Sequence, residues 1–147
     1  WRGEPGAERL VVVLDASAAL SWLSSDEQTP ASRKLAHEVA RHGAVVPEIW
    51  HAEVTQLLLL AERRGRTTKG RVAEIVALLD ELPIETEAGV PQRMRHEVLD
   101  LARDRGLSTC DALYLDLAQR RGLPLATLDP ALGRAARAVG VPVALGD

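Results

Sequence analysis

Residues 10–15 read Leu-Val-Val-Val-Leu-Asp, a run of five apolar residues that ends directly in an acid. A continuous apolar run rich in valine is typical of a strand that is buried on both faces of a parallel sheet. In open α/β sheets the ligand site lies beyond the carboxyl ends of the strands. Asp15 is therefore expected at the edge of the sheet where ligands bind.

Short apolar segments and amphipathic segments alternate along the rest of the chain. Strands are predicted at residues 10–14, 44–46, 84–86, 123–128 and 141–145. Helices are predicted at residues 16–23, 30–42, 48–64, 67–82, 91–105, 108–121 and 130–139. This alternation predicts an α/β fold of three layers, in which helices cover both faces of a central, mostly parallel sheet of about five short strands.

Length and composition limit the class of protein. A chain of 147 residues, 46% of them hydrophobic, suits one compact domain. We expect that domain at residues 10–147, with residues 1–9 as an N-terminal extension or a cloning remnant. The 18 Lys and Arg against 21 Asp and Glu give a net charge of −3, so any contact with nucleic acid must be local or mediated by ions.

Cysteine content and hydropathy bear on the compartment. The single cysteine, Cys110, excludes an intramolecular disulfide. No apolar stretch approaches the roughly 20 residues that a membrane-spanning helix needs. We therefore expect a cytoplasmic protein with no membrane segment.

Two acids directly follow predicted strands. Asp15 follows the first strand and Asp129 follows the strand at residues 123–128, so both are expected at the same edge of the sheet. Each also has a simpler interpretation as the N-terminal cap of the next helix, and Pro130 after Asp129 favours that role. Capping and ligand binding are compatible, so both interpretations stay open.

Two further acids lie on the inner faces of predicted helices. Glu53 is three or four residues from several apolar positions, which places a carboxylate on the stripe that faces the core. Asp111 shares a helix face with Tyr114 but also completes a possible capping box that begins at Ser108. Alternatively, Glu53 lies at the edge of the apolar stripe and its carboxylate extends into water.

Four carboxylates at one edge of a sheet repel one another unless they are protonated or bridged by cations. Mg²⁺ and Mn²⁺ prefer oxygen ligands, and no cluster of His or Cys in the sequence offers zinc ligands. Such ions stabilise the transition states of phosphoryl transfer. The acids therefore favour a metal-dependent enzyme that hydrolyses phosphodiesters.

Four stretches of the chain, taken together, resemble the PIN domain over residues 10–145. They are Val-Leu-Asp15-Ala-Ser17-Ala, Glu53 in the helix after Pro47, Cys-Asp111-Ala-Leu-Tyr-Leu-Asp-Leu-Ala, and Leu-Ala-Thr127-Leu-Asp129. The resemblance implies a PIN-like fold with catalytic, metal-binding acids at Asp15, Glu53, Asp111 and Asp129. It also implies that Ser17 and Thr127 add hydroxyl groups to the site.

The small size, without an appended domain, resembles the VapC-type toxins of VapBC toxin–antitoxin pairs. That resemblance implies an endoribonuclease that acts on RNA with Mg²⁺ or Mn²⁺. It further implies a homodimer, and an antitoxin protein that silences the enzyme.

A basic cluster surrounds Gly65 and offers a possible contact for RNA phosphates. It consists of Arg63, Arg64, Arg66, Lys69 and Arg71. A solvated helix end is the alternative, because cations are also favoured near helix C-termini. Asp116, in contrast, is expected to pair with Arg120 four residues on rather than to bind a metal.

Other classes of protein also place acids at strand ends. A haloacid dehalogenase-type phosphohydrolase needs a second Asp two residues after Asp15, where this chain has Ser17. A receiver module needs a late Lys, and none follows Lys69. Another magnesium-dependent phosphohydrolase remains an alternative, as does a catalytically silent PIN-like module that acts through a binding partner.

Overall fold

The computed structural model describes residues 11–22 and 28–145, and the expectation for residues 1–9 lies outside them. The elements follow one another as β1 (Val12–Leu14), α1 (Ala16–Ser21), α2 (Pro30–His42), β2 (Ala44–Pro47), α3 (Ile49–Arg63), α4 (Lys69–Glu81), β3 (Ile84–Glu87), α5 (Pro91–Arg93), a π-helical segment (Met94–Val98), α6 (Leu99–Arg105), α7 (Thr109–Arg121), β4 (Leu125–Ala126), α8 (Pro130–Ala138) and β5 (Val143–Ala144). The predicted order of helices and strands is confirmed.

The described strands form a five-stranded sheet in the order β3-β2-β1-β4-β5, with every pairing parallel. The chain runs outward from β1 through β2 to β3, then returns to the other side of β1 as β4. The carboxyl ends of β1 and β4 therefore form a topological switch point, where α/β sheets bind ligands. Leu14 pairs with Ala126, which places Asp15 next to Thr127.

The centre of the sheet is buried on both faces. Val12, Val13 and Leu14 are 3%, 0% and 0% exposed. Because successive side chains of a strand point to opposite faces, apolar neighbours cover the sheet on both sides. The predicted three-layer α/β fold is confirmed. No helix among the described residues is long and apolar enough to cross a lipid bilayer.

Local signals in the sequence explain where α2 begins and ends. The hydroxyl of Thr29 accepts from the Ser32 backbone N–H, the Ser32 hydroxyl accepts from the Thr29 N–H, and Pro30 occupies the first turn. Gly43 ends the helix with a φ of +89°, and a Cβ there would lie 2.8 Å from the carbonyl oxygen of Pro83. Only glycine fits this turn without strain.

Several predicted helices and strands are longer than the elements in the structure. The strand predicted at residues 123–128 pairs regularly only over Leu125–Ala126. Pro124 has no backbone N–H to donate to a neighbouring strand, which delays the start of β4. The single helix predicted at residues 91–105 contains the π-helical segment, a local widening that apolar periodicity does not encode.

Candidate active site

Asp15 lies at the end of β1 and is 5% exposed. Its Oδ1 accepts hydrogen bonds from the Ser17 hydroxyl at 2.7 Å and from the backbone N–H of Ala18 at 2.8 Å. Its Oδ2 accepts a short hydrogen bond from the hydroxyl of Thr127. The bond from Ala18 makes Asp15 the N-terminal cap of α1, which confirms the capping role predicted for this residue.

Ser17 and Thr127, the hydroxyl pair, join Asp15 to the loop after β4. Each donates its single proton to Asp15 and accepts a backbone N–H of the loop in return. Ser17 Oγ accepts from Leu128 at 3.2 Å, and Thr127 Oγ1 accepts from Asp129 at 3.0 Å. The hydroxyl pair therefore fixes the loop that carries Asp129 relative to the end of β1.

Asp111 and Asp129 lie at the N-terminal ends of α7 and α8. Asp111 donates its backbone N–H to the Ser108 hydroxyl at 3.0 Å, and the same Ser108 side chain favours the charged form of the Asp111 carboxylate. Asp129 caps α8 by accepting from the Ala131 N–H at 2.9 Å. The partial positive charge of these helix ends favours carboxylates at both positions.

Glu53 lies in the first turns of α3 and is half-buried. Its Oε1 accepts a short hydrogen bond from the hydroxyl of Tyr114, a residue of α7 that is 1% exposed. The sequence pattern assigns Tyr114 only to the apolar face of its helix. Its spacing of three residues from Asp111 is the signal that it faces the same site.

The four predicted acids line one cavity of about 360 Å³. Asp15, Glu53, Asp111 and Asp129 reach it from β1, α3, α7 and the loop after β4. Ser17 and Tyr114 also line the cavity, whereas Thr127 does not and acts through Asp15. The described residues around the cavity include no Lys, Arg or His.

The electrostatics of the cavity follow from this composition. Burial raises the pKa of Asp15 above its ordinary value, the hydrogen bonds from Thr127, Ala18 and Ser17 oppose the rise, and the charge of Asp111 adds to it. Burial likewise raises the pKa of Glu53, with further contributions from the charges of Asp111 and Asp15. The four carboxylates therefore carry mutual repulsion that no Lys, Arg or His among the described lining residues offsets.

The pKa values of Asp111 and Tyr114 are also raised. The pKa of Asp111 is raised by burial and by the negative charge of Asp129. Burial and the acceptor on Glu53 raise the pKa of Tyr114 well above its ordinary value, so the phenol keeps its proton and acts as a donor.

The donor set fits a hard divalent cation. It consists of oxygen atoms, it lies at the switch point of the sheet, and its charge is uncompensated by the described residues around it. In the part of the chain that the structure describes, no three His, Cys, Asp or Glu side chains are arranged to enclose an ion as they stand. The carboxylates would therefore have to move closer together before they ligate one ion jointly.

The basic cluster lies away from the cavity. Arg63, Arg64, Arg66 and Lys69 are exposed at the end of α3, in the turn that follows and at the start of α4. Arg71 pairs with Glu74 at 2.9 Å. Ten residues of α3 separate Glu53 from Arg63, a distance of about 15 Å along the helix axis.

A second group of charges lies farther along α7. Asp116 is 5% exposed and accepts from Arg93 at 3.0 and 2.5 Å and from Arg120 at 2.9 Å. Arg120 also donates to Glu87 at 2.5 Å. The predicted pair of Asp116 and Arg120 is confirmed, and Arg93 is a partner that the sequence did not reveal. These residues line a larger cavity, of about 610 Å³, which meets the acidic cavity at Ala52.

Comparison with known proteins agrees with this geometry. Residues 12–138 match the family model described as the PIN domain. The chain is 34% identical to Ribonuclease VapC3 of two Mycobacterium tuberculosis strains, CDC 1551 / Oshkosh and ATCC 25618 / H37Rv, over 95% of this chain and 99% of the relative. The crystal structure of PAE2754 from Pyrobaculum aerophilum superposes with a TM-score of 0.67 at 23% identity, covering 95% of this chain and 87% of that one. The chain therefore belongs to the PIN-domain family and is similar to its VapC-type members.

Proposed function

We propose that this protein is a metal-dependent endoribonuclease that hydrolyses phosphodiester bonds of RNA. One observation carries the proposal: Asp15, Glu53, Asp111 and Asp129 converge on one cavity whose described lining includes no basic side chain. Burial raises the pKa values of Asp15, Glu53 and Asp111. Such a cluster of acids is destabilising unless a cation or a ligand uses it. The similarity to the VapC3 ribonucleases supports RNA as the substrate.

The four acids would hold one or two Mg²⁺ or Mn²⁺ ions. The hydroxyl pair would keep Asp15 and Asp129 in fixed positions relative to each other. A bound ion supplies positive charge that stabilises the charge developing on the phosphate during transfer. In the hydrolysis, the oxygen of a water molecule forms a bond to phosphorus and the bond to the 3′-oxygen breaks. That oxygen takes up a proton, so the products carry 5′-phosphate and 3′-hydroxyl ends.

Substrate contacts beyond the cavity would come from the basic cluster. Arg63, Arg64, Arg66 and Lys69 are exposed, and Arg63 lies about 15 Å from Glu53 along the axis of α3, a span of a few nucleotides of RNA. Arg71 has a smaller part, because it is half-buried and paired with Glu74. The net charge of −3 fits a protein that binds RNA locally rather than over its whole surface.

The similarity to VapC-type proteins also supports a biological role as the toxin of a toxin–antitoxin pair in the cytoplasm, silenced by a cognate antitoxin. We further propose a homodimer. Val90 is 56% exposed and lines the larger cavity with Ile49, Met94 and Leu113, so an apolar surface is open to a second protomer.

Cleavage of a panel of structured and single-stranded RNAs tests the proposed activity. The purified protein should cut RNA with Mg²⁺ or Mn²⁺, fail with EDTA, and lose about 100-fold or more of its rate on Asp111→Asn. Cutting that persists in EDTA or in the variant would contradict the metal mechanism. If no RNA is cut and no Mn²⁺ binds in calorimetry, the chain is better explained as a silent PIN-like binding module.

A further inference from the structure

Glu53 stands apart from the other three acids because it has no helix end or hydroxyl pair to orient it. Asp15 and Asp129 cap helices, and Asp111 lies in the first turn of α7. Glu53 instead projects from within α3 on a longer side chain with more rotatable bonds. Among the described residues, Tyr114 is the one hydrogen-bond donor to its carboxylate.

The position of Tyr114 makes it a rigid donor. Its ring is 1% exposed and is held in the core between α7 and the sheet, so its hydroxyl has little freedom. A tyrosine side chain has only two χ angles, and packing fixes both. The contact joins residues 61 positions apart in the sequence, so it connects α7 to α3 directly across the cavity.

Without that donor, the charges around Glu53 drive it away from the cavity. Asp111 and Asp15 are close enough to raise its pKa, and the described lining offers no Lys or Arg that would attract it. A half-buried glutamate that is repelled by two neighbours can rotate toward solvent at small cost. A hydrogen bond from a buried phenol opposes this rotation while leaving Oε2 available to a cation.

From this geometry we infer that Tyr114 is a positioning residue, which holds Glu53 in the cavity so that its carboxylate can ligate a divalent cation. The inference rests on the proposed metal-dependent function and adds to it a residue that does not itself bind the metal. Groups that orient metal-ligating carboxylates commonly change metal affinity or activity by about 10- to 100-fold when removed. The competing explanation is that Tyr114 only fills the core.

Tyr114→Phe separates the two explanations because it removes the hydroxyl and keeps the ring. We expect Mn²⁺ affinity, measured by titration calorimetry on the full chain, to fall about 10-fold. The rate of RNA cleavage at saturating RNA should fall with it while KM for RNA changes little. Thr55→Ala is the matched control, since among the described residues the hydroxyl of Thr55 on α3 bonds only to carbonyl groups of its own helix. That variant should bind Mn²⁺ like the wild type.

A double-mutant cycle with Glu53→Gln shows whether Tyr114 acts through Glu53. If it does, Tyr114→Phe will lower Mn²⁺ affinity in the wild-type background and have no further effect in the Glu53→Gln background. Unchanged affinity of the single variant, or equal losses in both backgrounds, would overturn the inference and leave the proposed function intact. Absence of Mn²⁺ binding by the wild type would overturn the proposed function and this inference with it.

Discussion

Asp111 and Asp116 lie five residues apart on α7, yet their carboxylates have opposite surroundings. Asp111 faces other acids, and burial together with the charge of Asp129 raises its pKa. Asp116 is also buried, but hydrogen bonds and charge from Arg93 and Arg120 outweigh the burial and lower its pKa. One helix thus carries a carboxylate that is paired with two arginines and another that has no basic partner among the described residues.

This difference separates an acid with a structural role from one that we propose binds a cation. Paired with two arginines, the carboxylate of Asp116 ties α7 to α5 and, through Arg120, to Glu87 of β3. The carboxylate of Asp111 gives no such connection and adds repulsion to the cavity. Proteins retain such unfavourable charge at sites where a ligand offsets it.

The largest effect on stability is expected from Asp116→Asn. The change leaves two guanidinium groups without their acceptor, but both arginines are about a third exposed, so water screens part of the loss. We expect the free energy of unfolding to fall by about 2 kcal/mol in urea titration. Asp100→Asn is the control, because its pair with Arg103 is exposed and 3.4 Å long. Equal stability of the two variants would contradict the structural role of Asp116.

The same pairing predicts a pH dependence with a defined sign. Because the pKa of Asp116 is lowered below its ordinary value of 3.8, its contribution to stability is complete above that value and is lost as the pH falls through the lowered pKa. The difference in unfolding free energy between the wild type and Asp116→Asn should therefore be constant near neutrality and shrink in strong acid. A difference that grows on acidification would mean that the sign is wrong.

A smaller effect is expected at the hydroxyl pair. Thr127→Val keeps the shape of a buried side chain but removes the bond to Asp15 and the acceptor for the Asp129 N–H. We expect cleavage to slow about 10-fold and the unfolding free energy to fall by about 1 kcal/mol. Thr127→Ser retains the hydroxyl and should restore most of both. If the Val variant cleaves at the wild-type rate, the hydroxyl does not position the acids.

The smallest effect is expected at the basic cluster. Replacing Arg64 and Arg66 by Gln should raise KM for RNA by a few-fold without changing the maximal rate. Binding should also become less dependent on salt. The slope of the logarithm of the binding constant against the logarithm of the salt concentration should become shallower by about one unit for each phosphate that the protein no longer neutralises. Arg41→Gln on α2 is an exposed control in another helix. An equal change in KM for this control would mean that the cluster makes no specific contact.

The fold and the four acids could be predicted because their signals are local. The apolar run before Asp15, the proline after Asp129 and the face that Asp111 shares with Tyr114 each lie within a few residues of the acid that they mark. The partners that distinguish the two charge clusters are distant in sequence: Arg93 is 23 residues from Asp116, and Tyr114 is 61 from Glu53. Tertiary packing brings these groups together, and neither the spacing of residues nor the apolar periodicity of the sequence predicts such contacts.

Stabilisation by a divalent cation tests the central claim most directly, because it measures cation binding at the acids of the cavity without requiring the right RNA. In Mn²⁺ at about 100 times its dissociation constant, the wild type should gain about 2.7 kcal/mol of unfolding free energy over the value in EDTA. Asp116→Asn should gain as much from its lower starting point, and Asp111→Asn should gain little while being at least as stable as the wild type in EDTA. No gain by the wild type, or an equal gain by Asp111→Asn, would contradict the proposed metal site.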